Sequence, residues 1–469
     1  MTQSLAVIVA SLAVIGALYV LARPHWGFVL VIVLFPFKQL LQVYVPFLAA
    51  KPTMVNFGVA GLVSAAVMVR YMRRERTADG YRNRITYLIL ALYGLWLIGI
   101  MWSPSRSVYL DNLGVDLSYQ LLLLVFLPLL VIDIVEFRRM LFGLMVVGSI
   151  IALLVMLSPR SSYHSGRLVL DLGMVGGGMK DTGNPLATAS MGASVALIAA
   201  LIRPERATFL VTLLRVAAFT IGMGMAIGSG SRGQVLAAGI VGILFYPMSR
   251  KLANPKQFFI VIIGFLILVG GLYGVFKLFI GSQNQARWNP IDMLEDTTMR
   301  LEMAFTLFDY YLANPSRWLL GLGTGAYAAI SHNQYVERDY VHNIAAEILC
   351  EHGIVGAILF VSMMVLLVKW GKGLWMSYKD DPSMRSTVAI LCGFCVFTLL
   401  EALKQGSMHY PAPFYWWIVM AKLAHFELKH NPQESPQIET NLVDDALERE
   451  YAKPPGPGGT GDRRLAMGS

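Results

Sequence analysis

Apolar runs close to twenty residues long recur from one end of this chain to the other, and they decide which solvent it folds in. About 20 such residues are what an α-helix needs to cross a ~30 Å hydrocarbon layer. Candidate spans fall near 4–22, 27–47, 53–71, 85–102, 113–132, 140–157, 185–202, 208–228, 234–249, 257–277, 347–369, 386–403 and 411–428. A water-soluble chain could not bury so much: 56% of the residues are hydrophobic, 14% are charged, and the mean hydropathy is +0.58. The expected fold is therefore all-α and polytopic, with about twelve transmembrane helices. Inside lipid, each backbone must satisfy its own hydrogen bonds. The first run, Leu5 to Leu21, lacks a basic leader and a small-residue cleavage signal, so it reads as a retained span. Cys350, Cys392 and Cys395 lie in or beside apolar runs and read as packing residues, because a CxxC inside "ILCGFCVF" has neither exposure nor neighbouring ligands.

Lys and Arg mark the side that stays in the cytoplasm, since translocating them is disfavoured. One cytoplasmic loop carries Arg70, Arg73, Arg74, Arg76, Arg82 and Arg84. Others follow at Arg138 and Arg139, at Arg203 and Arg206, at Arg250, Lys251 and Lys256, and at Lys369, Lys372 and Lys379. Two long loops, about 158–184 and 278–346, then face outward. The second holds four arginines (Arg287, Arg300, Arg317, Arg338) and seven acids (Asp292, Glu295, Asp296, Glu302, Asp309, Glu337, Asp339), so 4 − 7 gives a net charge of −3. The formal +9 of the whole chain is thus a topology signal and points to no nucleic-acid surface. Residues 1–430 form one transmembrane domain. The polar, Pro/Gly-rich 431–469 reads as a disordered cytoplasmic tail with no catalytic role. Thirteen spans place the N-terminus outside, whereas twelve place both termini inside.

The chemistry sits in the outward loops. "DTTMRLEMAFTLFDYYL" puts Leu301, Ala304, Phe305, Phe308, Tyr311 and Leu312 on one face of a helix lying along the membrane surface. Asp296, Thr297 or Thr298 can cap its start, which places Arg300 in a first turn suited to an anion; pairing with Asp296 or snorkelling to headgroups is the plainer role. "LLGLGTGAY" supplies Gly321, Gly323 and Gly325, a loop able to approach a ligand or another helix closely. "HNIAAEILCEHGIVG" sets His342 and Asn343 at a water-exposed helix mouth, where a histidine serves as a base near neutral pH or as a structural cap. "SGSRGQ" places Arg232 in a short outward turn, where it binds either an anion or headgroups. "GMKDTGNPLATA" brings Lys180 and Asn184 to the mouth of a helix opening at Pro185, a pattern that turn chemistry also explains. No motif for a metal or for ATP is present, so neither is expected.

Taken in order, "GNPLA", "SRG", an arginine on a surface helix, "LLGLGTG" and "HN" followed by "EILCEHGIVG" resemble the O-antigen ligase and O-antigen polymerase family over most of Ile85 to Phe360. The resemblance implies transfer of a glycan from undecaprenyl diphosphate to an acceptor hydroxyl at a periplasm-facing site in the bacterial inner membrane, without metal, nucleotide or other cofactor. It assigns His342 as the base on the acceptor, and Arg232 and Arg300 as the diphosphate ligands. Lys180, Asn184, Asn343 and Arg338 are secondary candidates. A single displacement with His342 as base predicts inversion; Glu347, five residues on, should project from a different helix face and so does not suit a covalent mechanism. For a ligase the acceptor is lipid A core oligosaccharide; for a polymerase it is the growing lipid-linked chain. A lipid or anion transporter is the alternative of another class, but no repeated halves are visible in the sequence.

Overall fold

The computed structural model describes residues 11, 14–75, 80–107, 110, 118–175, 179–250, 255–280, 288–331, 340–410 and 412–430. The helices are α1 (Trp26–Ile32), α2 (Leu34–Tyr44), α3 (Pro46–Ala50), α4 (Pro52–Met72), α5 (Arg84–Gly99), α6 (Ser118–Phe126), α7 (Ile134–Leu157), α8 (Pro185–Leu201), α9 (Phe209–Gly228), α10 (Arg232–Ser249), α11 (Pro255–Ile280), α12 (Pro290–Leu312), α13 (Ala326–Ile330), α14 (Ile344–Ser377), α15 (Pro382–Gln405) and α16 (Ala412–His430). Among the described residues, six helices are long and apolar enough to cross a membrane. A seventh crossing arises if α1 and α2, bent by 68°, are one span. Every apolar run from residue 26 onward carries a helix, so the fold is that of a helical polytopic membrane protein. The tail, Arg287 and Arg338 lie outside the described residues.

Helix starts are set by side chains that accept the orphan first-turn N–H groups. Asn83 accepts from Thr86 N (2.9 Å), Asp133 from Glu136 N (2.8 Å), Thr208 from Val211 N (3.3 Å) and Asp381 from Ser383 N (2.8 Å). The bundle is tightest where α8 meets α9. A Cβ on Gly192 would lie 2.6 Å from the carbonyl oxygen of Gly222, and one on Gly222 would lie 2.5 Å from that of Gly192. Small residues at such a crossing let two backbones touch, and dispersion takes over the role that water exclusion plays in soluble cores. α15 runs through the middle and is the most enclosed of the long helices. Outward-facing Leu154, Leu244, Ile267 and Val368 stay more than half exposed, as lipid contact requires.

Polar contacts sort the two ends of the bundle. Arg138, early in α7, donates to the carbonyls of Ser383 (2.9 Å) and Arg203 (2.7 Å), and Arg203 N donates to Ser386 Oγ (2.9 Å). The start of α7, the end of α8 and the start of α15 therefore share one end, the end the arginine-rich loops mark. The far end of α15 is ~36 Å away at 1.5 Å per residue.

At that far end the all-helical expectation has one exception. Between α7 and α8 the chain forms an antiparallel sheet, β1 (Ser161–His164), β2 (Arg167–Val175) and β3 (Met179–Thr182), in the order β1-β2-β3. Its first turn is built on Ser165 and Gly166, both left-handed (φ 48° and 74°), which is the two-residue turn that matches strand twist.

Candidate active site

Three segments distant in sequence converge at the far end. The link from α9 to α10 is only Ser229, Gly230 and Ser231, with Gly230 at φ 66°. Ser231 makes no side-chain cap, so α10 opens with its first-turn N–H groups and Arg232 side by side. A helix N-terminus beside a guanidinium favours an anion twice, through its partial positive charge and through charge-assisted hydrogen bonds. The sequence pattern predicts that arrangement at Arg300. It is absent there because the helix starts at Pro290, and Asp296, Thr297 and Thr298 continue it rather than cap it. Arg300 projects from the middle of α12 and donates from Nη1 to the carbonyl of Lys404 at the end of α15 (3.1 Å).

The His-Asn pair divides its labour. Asn343 caps α14, its Oδ1 accepting from Ala345 N and Ala346 N at 3.1 Å each. His342, just before the cap, is left-handed (φ 55°), and its ring lies 4.1 Å from that of Tyr340, whose hydroxyl donates to the carbonyl of Gln405 (3.4 Å). The end of α15 thus braces both the histidine and Arg300.

These groups enclose a cavity of about 490 Å³ in which Arg232, Arg300, His342 and Asn343 are joined by Arg167 and Lys404, with Leu186, Leu236, Trp288, Leu301 and Leu403 among the apolar walls. Among the described lining residues four are cationic and none is a carboxylate. Glu347 is buried elsewhere, accepting from Ser407 Oγ (2.9 Å) and Met408 N (3.0 Å). Asn184 caps α8 by accepting from Leu186 N (2.9 Å), so it serves the turn and not the cavity wall. Lys180 lies in β3.

The glycine loop approaches a helix. Gly321, Gly323 and Gly325 are all left-handed (φ 82°, 98° and 72°), and α14 breaks at Gly353 (φ 66°) to admit them. Leu322 N and Gly323 N donate to the carbonyls of Cys350 (2.9 Å) and Glu351 (3.0 Å), and Ile354 N to that of Trp318 (2.9 Å). Glu351 accepts from Gly325 N (2.6 Å), while Thr324 Oγ1 donates to the carbonyl of Trp96 (2.5 Å). The loop is a latch between α5 and α14 that holds the start of α14, and with it His342. Beside it Leu307 and Tyr311 of α12 pack into a small second core with Leu322, Tyr327, Val341 and Cys350. Burial raises the Tyr311 phenol above its ordinary range, and its hydroxyl donates to the carbonyl of Trp318 (2.7 Å). Phe305 and Leu312, expected on the same face as Tyr311, are exposed instead, and Leu301 of that face lines the cavity.

Residues 216–361 match the family model described as O-antigen ligase. That segment is similar to an O-antigen ligase domain. No curated protein matches the chain significantly. The matched segment supplies Arg232, Arg300, His342 and Asn343, whereas Arg167 and Lys404 lie outside it. Those two were missed from sequence. The available signal was their position: Lys404 closes the run 386–403 on its outward side and Arg167 lies in the outward loop 158–184, where the positive-inside rule disfavours cations.

Proposed function

We propose that this protein transfers a glycan from undecaprenyl diphosphate to an acceptor hydroxyl in the 490 Å³ cavity, acting as an O-antigen ligase with lipid A core oligosaccharide as acceptor. The observation that carries the reading is the meeting of His342, Arg232 and Arg300 in one cavity at the end opposite the arginine-rich loops. With those loops cytoplasmic, the cavity opens toward the periplasm from the inner membrane. The ligase-type domain over 216–361 supports glycosyl transfer of the ligase or polymerase kind.

The step is a single displacement. His342 takes the proton of the acceptor hydroxyl, whose oxygen attacks the anomeric carbon. The bond from that carbon to the phosphate oxygen breaks, and the diphosphate leaves with the electron pair. Diphosphate is a good leaving group, so fixed cations that meet its developing charge matter more than a strong acid. Arg232 and the first turn of α10 hold it from one side and Arg300 from the other, a geometry the forked guanidinium suits. With Glu347 turned into the protein and no carboxylate on the described wall, inversion is the expected stereochemistry.

The test is transfer in vitro with purified protein, undecaprenyl diphosphate-linked O-antigen, lipid A core and EDTA. Lipopolysaccharide formed by the wild type and lost in His342→Ala supports a metal-independent ligase. Longer lipid-linked chains without ligation would make the protein a polymerase, and labelled-substrate uptake into proteoliposomes without glycan product would make it a transporter.

A further inference from the structure

We infer that Lys404 is a third cation on the diphosphate, placed to meet the charge that appears on the leaving phosphate, and that Gly233 is glycine to leave room for it. The inference rests on the glycosyl-transfer reading above.

A lysine near a helix C-terminus ordinarily turns back to its own helix's carbonyls, where the dipole welcomes it. Lys404 does otherwise. The carbonyl at its position is taken by Arg300 Nη1 (3.1 Å), while its side chain reaches across to the positive end of α10. There it lies flat against Gly233: a Cβ at that position would collide with Nζ, Cε and Cδ of the lysine together. The charges acting on Lys404 are those of Arg300, Arg232 and Arg167, opposed by Glu401 one turn back on α15, which accepts from Ser190 Oγ (2.9 Å). Three cations crowding a fourth beside a helix N-terminus repel one another. An anion of several charges bound among them relieves that repulsion.

The reaction supplies that anion. The bound donor is a diphosphate ester with two negative charges, and when the anomeric bond breaks its terminal phosphate gains a third. Arg232 and Arg300 match the first two. Lys404 matches the one that develops, and an interaction stronger after bond breaking than before it acts on turnover more than on donor binding.

The experiment uses the full chain in nanodiscs and compares wild type with Lys404→Gln, Lys404→Arg, Gly233→Ala and the Gly233→Ala/Lys404→Gln double variant. Two readouts are taken: kcat and KM for transfer, and the ratio of Kd for undecaprenyl monophosphate to that for undecaprenyl diphosphate. Losing one charge-assisted contact should cut kcat and the diphosphate preference by roughly tenfold to a hundredfold in K404Q with KM little changed. K404R should restore part of the loss. Gly233→Ala should copy K404Q by displacing the lysine, and the double variant should be no worse than K404Q. An active wild type with K404Q unchanged in both readouts, or a double variant far worse than either single one, overturns the role of Lys404 alone. A wild type with neither transfer nor diphosphate preference overturns the glycosyl-transfer reading, and this inference with it.

Discussion

His342 holds a left-handed backbone (φ 55°), a conformation a non-glycine residue keeps only where its surroundings impose it, at a cost of about 1–3 kcal/mol. Asn343 capping α14 on one side and the Tyr340 ring on the other supply that constraint. His342→Gly therefore separates stability from function: the thermal midpoint should hold or rise, while transfer falls by about 10²–10⁴, the usual worth of a positioned base. Arg232→Lys keeps the charge and loses the fork, so transfer should drop roughly tenfold at unchanged expression. His342, Arg232 and Arg300 were legible in sequence because polar groups in the outward loops of an apolar chain stand out. The role of Arg300 was less so. A cap at Asp296 to Thr298 is locally sound, but Pro290 starts the helix earlier and carries Arg300 into its middle, against the end of α15. No local pattern tells of a partner 104 positions away.

At the scale of elements, the latch between the glycine loop and α14 is the most demanding contact. A side chain at Gly321 would need a left-handed backbone and would run into the Glu351 carbonyl, so Gly321→Ala should lower the thermal midpoint and impair transfer together by displacing the start of α14. Glycine freedom was visible in "LLGLGTG", but its use was open between a ligand and a helix. Gly353 decides for the helix, since only a break in α14 exposes the carbonyls the loop needs. Gly222→Val should drive α8 and α9 apart, since its Cβ would lie 2.5 Å from the Gly192 carbonyl oxygen, costing about 1–3 kcal/mol by overpacking, read as a lower melting temperature in detergent. The hairpin was not legible: in a membrane chain, β1 to β3 are short strands paired only to one another, and apolar periodicity at helix length hides them.

For the whole molecule the account requires opposite ends on opposite sides of the membrane. Cys350, Cys392 and Cys395 are buried, so single introduced cysteines report cleanly. A membrane-impermeant maleimide added to intact cells should label His164→Cys in the exposed hairpin and spare Arg206→Cys between α8 and α9; the reverse pattern would invert the topology. Apolar run length and arginine placement carried this architecture from sequence alone. Convergence of α10, α12, α14 and α15 on one cavity did not follow from them, because it depends on how the helices are arranged around α15. The most direct measurement is a cryo-EM map of the protein in nanodiscs with undecaprenyl diphosphate-linked glycan. The account predicts diphosphate density between Arg232 and Arg300 with the first sugar facing His342; diphosphate density at the end of the bundle where Arg138 meets Ser383 would contradict it.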